Sequence, residues 1–148
     1  MEQRGPFGVV GWREMVTLSD YSDDLIKAKV DTGAKTSAIH AWNIRPFDKD
    51  GADWVEFELH PDQKSNKRIV KCVAPVYKRK AIKSSNGVTE VRFSVLTNVK
   101  IGLWSFPAEI TLTNRDEMGF RMLLGRSFLR KRFIVDCGRS WLTRPLTS

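Results

Sequence analysis

Residues 25–34 read Leu25-Ile26-Lys27-Ala28-Lys29-Val30-Asp31-Thr32-Gly33-Ala34. Apolar and charged side chains alternate up to Val30, the period of a half-buried strand. Asp31 then falls where the strand ends, in a turn of small residues. Gly33 lets the backbone approach its neighbours closely. Thr32 can hydrogen-bond to local backbone or across a symmetry axis, and Ala34 leaves room beside the carboxylate. A simple strand-ending turn explains the same letters, so the surroundings must decide.

Outward from this point the chain reads as short strands and turns. Upstream, Val9 to Leu18 is a strand broken at Gly11, and polar Ser19 to Asp24 is the turn between. Downstream, Trp54 to Leu59 alternates, and Arg68 to Ala74 answers it after the turn-rich segment 61–67. Lys80 to Lys83 and Val88 to Phe93 flank Ser84-Ser85-Asn86-Gly87, and Asn-Gly between two such runs is a strong hairpin signal. Further strand pieces are expected at Lys100 to Gly102, Phe106 to Leu112, Phe133 to Asp136 and Trp141-Leu142. Only Ser127 to Arg132 looks helical, with Ser127 as its candidate cap. The expectation is an all-β fold, a closed barrel with one short helix and a hairpin flap. It forms one domain over residues 1–148 with its core at about 9–142.

One carboxylate does not make an acid–base site. Two at close range cannot both ionise cheaply, so they share a proton. One activates water while the other protonates a carbonyl oxygen, which is the logic of aspartic proteases. The apparent pKa values belong to the pair. Met122-Leu123-Leu124-Gly125-Arg126 follows downstream, just before the predicted helix, with the Ser84–Gly87 hairpin in between. This order resembles the retropepsins: Asp-Thr-Gly-Ala at a strand end, a glycine-bearing flap, then an apolar-Gly-Arg turn opening a short helix. Gly11-Trp12-Arg13-Glu14, Lys29 to Ala38, Thr111 to Arg115 and Met118 to Arg126 are similar to a bacterial family of small retropepsin-like proteins. Its members are often labelled ATP-dependent zinc proteases. Some are encoded with an ATP-grasp ligase that adds glutamates to a ribosomal protein. The resemblance covers about Gly11 to Ser140.

What it implies is an aspartic endopeptidase. Asp31 would be the catalytic residue, Thr32, Gly33 and Ala34 its supporting turn, and Leu123, Leu124 and Gly125 the structural motif behind it. Ser84, Ser85, Asn86 and Gly87 of the flap would bind substrate. A single Asp-Thr-Gly per chain requires a homodimer. Many retropepsins place an acid after Asp-Thr-Gly-Ala to pair with the motif arginine. Here that position is Lys35. Either Arg126 finds Asp116 or Glu117, or Lys35, Arg115 and Arg126 make a basic substrate-binding cleft suited to an acidic, glutamate-rich tail. Solvated surface cations are the plainer alternative.

No cofactor is expected. His-Glu-x-x-His and paired cysteine spacing are both absent. His40 and His60 are the only histidines, so a zinc site would need both plus a carboxylate, and a locally hydrogen-bonded histidine is the simpler reading of each. There is no phosphate-binding Gly-x-x-x-x-Gly-Lys-Ser/Thr loop, so ATP would act through a partner such as the ligase.

The 148 residues carry 25 Lys+Arg against 17 Asp+Glu, a formal charge of +8 that favours an anionic partner. Five tryptophans also fit a nucleic-acid-binding barrel, but their scatter through alternating strands points to core packing, and nucleic acid is disfavoured. A non-catalytic peptide-binding module on the same fold is the alternative function. No apolar run reaches the roughly 18–20 residues of a membrane span. The start lacks a signal core, so a cytoplasmic location without membrane attachment is expected. Cys72 and Cys137 allow one disulfide on paper, and two buried thiols are the expectation for such a chain.

Overall fold

The alternation at residues 25–30 does produce a strand, β3 (Ile26–Asp31), with Ile26, Ala28 and Val30 buried. The computed structural model describes residues 5–61, 68–83, 86–114 and 119–143. In chain order the other strands are β1 (Gly8–Val10), β2 (Arg13–Leu18), β4 (Ser37–His40), β5 (Trp42–Lys49), β6 (Ala52–Leu59), β7 (Val70–Pro75), β8 (Lys78–Lys83), β9 (Thr89–Ile101), β10 (Trp104–Thr113), β11 (Met122–Gly125) and β12 (Phe133–Val135). A single helical turn, α1 (Arg126–Leu129), follows β11 directly.

Seven strands pair in the order β10-β4-β11-β3-β2-β9-β8, and β9 also pairs with β10. That extra pairing closes six strands into a ring and leaves β8 hanging from β9 as the outer arm of the flap hairpin. The closure expected from the sequence therefore holds for these six strands. A separate sheet, β5-β6-β7, and a parallel pair, β1-β12, complete the architecture. Ring closure removes free edges and lets both layers share one core. Val16, Ile26, Val95, Val99, Ile110, Met122 and Leu124 all lie within it at 2 % exposure or less, and Val55, Phe57 and Leu59 join it from β6.

The arrangement that positions the turn is the insertion of β11. It lies between β3, which it pairs in parallel, and β4, which it meets antiparallel. Met122-Leu123-Leu124 is an apolar run instead of an alternation, with Met122 and Leu124 buried and Leu123 half-buried.

Several expectations need correction. Residues 141–142 form a turn rather than a strand. The Trp141 amide donates to the Arg13 carbonyl at 3.1 Å. The helix begins at Arg126, one residue earlier than expected, and has no side-chain cap from Ser127. It stops before Lys131, whose φ of 65° is left-handed. The tryptophans pack without being fully enclosed, and Trp104 lies against the core. All five are half-buried, with Trp12 and Trp141 holding the Arg13 guanidinium 4.6 and 4.7 Å from their ring centroids. Both cysteines are free, yet only Cys72 is buried; Cys137 is exposed.

A buried carboxylate ties the start of β2 to residues 142–143. Glu14 is fully buried. Its Oε2 accepts from the amides of Gly11 (2.7 Å) and Leu142 (2.9 Å). Its Oε1 accepts from the amide and hydroxyl of Thr143, at 3.0 and 2.8 Å. Among the described residues, no helix is long and apolar enough to cross a membrane.

Candidate active site

Asp31 closes β3 and stands in register with Gly125 of β11. Its Oδ1 accepts the amide of Gly33 at 3.0 Å, and its carbonyl accepts the amide of Ala34 at 3.2 Å. The turn is therefore wound around the aspartate it presents. A β-carbon on Gly33 would sit 3.3 Å from that same Oδ1, so the missing side chain permits the contact.

The rest of the turn is laced to β11 and α1. The amides of Arg126 and Ser127 donate to the carbonyls of Ala34 and Lys35, both at 2.9 Å. The Arg126 guanidinium donates to the carbonyls of Gly33 (3.1 Å) and Thr32 (3.4 Å). Below, the Gly125 amide donates to the buried Ser37 hydroxyl at 3.0 Å. Asp31 remains half-exposed, and Thr32, Gly33 and Lys35 are exposed. The arrangement is a rigid loop that offers one carboxylate and two backbone edges to whatever approaches.

A cleft of about 470 Å³ opens beside this loop. Ala34, Lys35, Thr36, Ser37 and Ala38 form one wall, and Thr111, Thr113, Leu123 and Ser127 contribute to it. The flap supplies Lys78, Lys80, Ile82, Arg92, Phe93 and Ser94, with Glu109 from β10. Asp31 does not line the cleft; Ala34, three residues on, does.

The expected site residues divide accordingly. Asp31, Thr32, Gly33, Ala34, Gly125 and Arg126 come together, with Leu124 buried behind them. Lys35 and Leu123 line the cleft. Arg126 is not in its wall. Its guanidinium braces the turn through carbonyl oxygens at the surface. Asn86 and Gly87 lie at the flap hairpin, where Gly87 has a φ of 86° and the Val88 amide meets Asn86 Oδ1 at 3.4 Å. They do not line the cleft. Ser84, Ser85, Arg115, Asp116 and Glu117 lie outside the described residues.

Sequence reasoning missed the flap cations, Ser37 and Glu109. Lys80 to Lys83 reads as one arm of the hairpin, and strand alternation extended back to Lys78 sends Lys78, Lys80 and Ile82 to one face. That period was the available signal.

The two histidines do not form a metal pair. His40 stacks on one face of Trp42 at 3.8 Å between ring centroids, and His60 stacks on the other at 3.7 Å. The indole stands between the imidazoles, so they cannot converge on one ion in this arrangement. The Arg121 guanidinium also approaches the Trp42 ring, at 4.9 Å. Among the described residues, no group of three or more His, Cys, Asp or Glu side chains is placed to hold a metal.

Known proteins resemble this chain in sequence and in fold. The family model described as "Retropepsin-like aspartic endopeptidase RimB" matches residues 9–145. A Legionella pneumophila crystal structure of a protein of unknown function superposes with a TM-score of 0.76 and 27% identity. The match covers 93% of this chain and 99% of that one. Proteins of Shewanella pealeana and Desulfotalea psychrophila, each named "Probable alpha-L-glutamate ligase", are 46% identical over 133 residues and 44% over 128 residues. These alignments take in 90% and 86% of this chain but only 29% and 28% of the relatives, so the chain spans less than a third of their length.

Proposed function

We propose that this chain, which belongs to the family of the retropepsin-like aspartic endopeptidase RimB, is itself an aspartic endopeptidase acting as a homodimer. Each copy contributes Asp31 to one dyad. The observation that carries this reading is the turn itself. Arg126, the α1 amides and the Gly125–Ser37 bond hold it, while the Asp31 carboxylate stays at the surface. Such bracing fits a group that must meet its twin at fixed distance. With Asp31 from two copies sharing a proton, one carboxylate takes a proton from the attacking water and the other gives its proton to the scissile carbonyl oxygen. Aspartic proteases are the standard instance of this chemistry.

Acidic protein tails are the proposed substrates. The cleft beside the turn is predominantly basic, with Lys35, Lys78, Lys80 and Arg92 set against Glu109. The names of the longer relatives support the same direction, because a glutamate-adding activity is ascribed to chains that carry a region like this one. A glutamate ligase is accordingly the proposed partner.

The test joins light scattering across a concentration series with cleavage of glutamate-rich peptides. Asp31→Asn keeps the size of the side chain and removes its acid–base function. The expected result is a folded variant with turnover reduced by at least about 10²–10⁴-fold. Undiminished cleavage by that variant would refute the dyad, and so would a strictly monomeric active enzyme.

A further inference from the structure

The basic character of the cleft is concentrated at one place. Lys80 of β8 stands directly opposite Arg92 of β9 in the hairpin register. Directly opposed residues share a face of the ladder, and both line the cleft, as does Lys35 from the catalytic turn. Among the described cleft residues, Glu109 is the one carboxylate, and it is already engaged. Its Oε2 accepts the Ser94 hydroxyl at 2.7 Å, and its Oε1 lies 3.9 Å from Lys78 Nζ. Lys78 is thus offset by Glu109, which leaves Lys35, Lys80 and Arg92 without a carboxylate partner in the cleft wall.

Arg92 differs from the two exposed lysines in being partly buried. One terminal nitrogen lies 3.8 Å from Glu90, which is not part of the cleft wall. Its Nε is buried with no acceptor. A buried donor without an acceptor is costly, and a carboxylate in the cleft would add charge-assisted bonds to the same guanidinium through its terminal nitrogens. Arginine offers carboxylates a planar fork, while lysine adds a point charge on a flexible stem.

We propose that Lys80, Arg92 and Lys35 form a subsite for one carboxylate side chain of the substrate, so that the flap hairpin carries the charge that selects the peptide. The proposal rests on the peptidase reading for the presence of a peptide in this cleft. It assigns the selecting role to two flap residues rather than to Arg126, whose guanidinium is committed to the turn.

The test uses the full chain carrying Asp31→Asn and a fluorescent glutamate-rich peptide, together with single Glu→Gln replacements along it, read by anisotropy at low and high salt. The expected result is one position where Glu is preferred over Gln by about tenfold, with the preference weakening as salt rises. Lys80→Gln and Arg92→Gln should each shrink that ratio, and the double variant should bring it close to one. Lys80 is exposed, so Lys80→Gln reports on the subsite even if Arg92→Gln folds poorly. A ratio that survives both substitutions, or a parent protein that never distinguishes Glu from Gln, overturns the subsite. Cleavage of the same peptides by the active chain separates the two ideas. Discrimination without any cleavage leaves the subsite standing and removes the peptidase; cleavage without discrimination does the reverse.

Discussion

A β-carbon on Gly125 would stand 2.6 Å from the carbonyl oxygen of Thr36. The same glycine sits in register with Asp31 and donates its amide to Ser37. Backbone meets backbone here, so no side-chain motion can relieve a clash. Gly125→Ala should therefore push β11 away from the loop that follows Asp31. We expect a loss of about 1–3 kcal/mol or more in denaturant unfolding, with activity falling further than the lost stability explains.

Glu14 provides a second, independent test. Three backbone amides and one hydroxyl converge on its buried carboxylate. Glu14→Ala leaves those donors without their acceptor, at about 1–3 kcal/mol for each that water does not reach. The expected total is about 3 kcal/mol or more by chemical denaturation. A loss under 1 kcal/mol would mean that the segment 139–143 is held by other contacts.

The thiols should separate cleanly. Burial pushes the Cys72 thiol up to about 12, while Cys137 is exposed. Reactivity follows the thiolate. A thiol reagent at mildly alkaline pH should modify one cysteine per folded chain and two after denaturation, and Cys137→Ser should abolish the native signal. Rapid native labelling of Cys72 would contradict its burial on the core-facing side of β7.

Acid should weaken one specific tie. The Asn98 amide and the Thr97 hydroxyl donate to Asp20 at 2.8 and 2.7 Å, fastening the β2–β3 turn to β9. These bonds hold the Asp20 carboxyl below its ordinary value of 3.8. A depressed folded value means that the stabilisation is complete above the unfolded pKa and disappears as pH falls through the folded one. Between neutral pH and the acid limb, the melting temperature of Asp20→Asn should drop less steeply than that of the parent. Solvent screening keeps the difference modest. Parallel curves for the two proteins would show that Asp20 contributes nothing to acid sensitivity.

The sequence was most legible where a local rule applied. Ile26 to Asp31 alternates, and a strand resulted; Asn86-Gly87 sits between two runs, and a hairpin resulted. Arg126 belongs to the turn, as its motif suggests, but its bonds to the Thr32 and Gly33 carbonyls were not legible, because a guanidinium bonded to carbonyls and one facing a substrate look identical in sequence. β4 and β5 were not recognised. Ser37-Ala38-Ile39-His40 is too short to display a period, and β5 carries Pro46 and a register shift between Trp42 and Arg45. Nor could spacing reveal that β11 would slide between β3 and β4, since that placement depends on Gly125 fitting against Thr36. Lys80 and Arg92 became visible as a pair only through the hairpin register.

The insertion of β11 also bears on how the protein is made. Gly125 and its partner Ser37 are separated by 88 positions in the chain. β3 and β4 leave the ribosome long before the strand that fills the gap between them. Until Met122–Gly125 emerges, both present open edges, and the ring cannot close. Long-range pairing of this kind slows folding, and open edges in a partly made chain invite association with other chains. The loop bearing Asp31 would take its working shape only after the segment that braces it has been made.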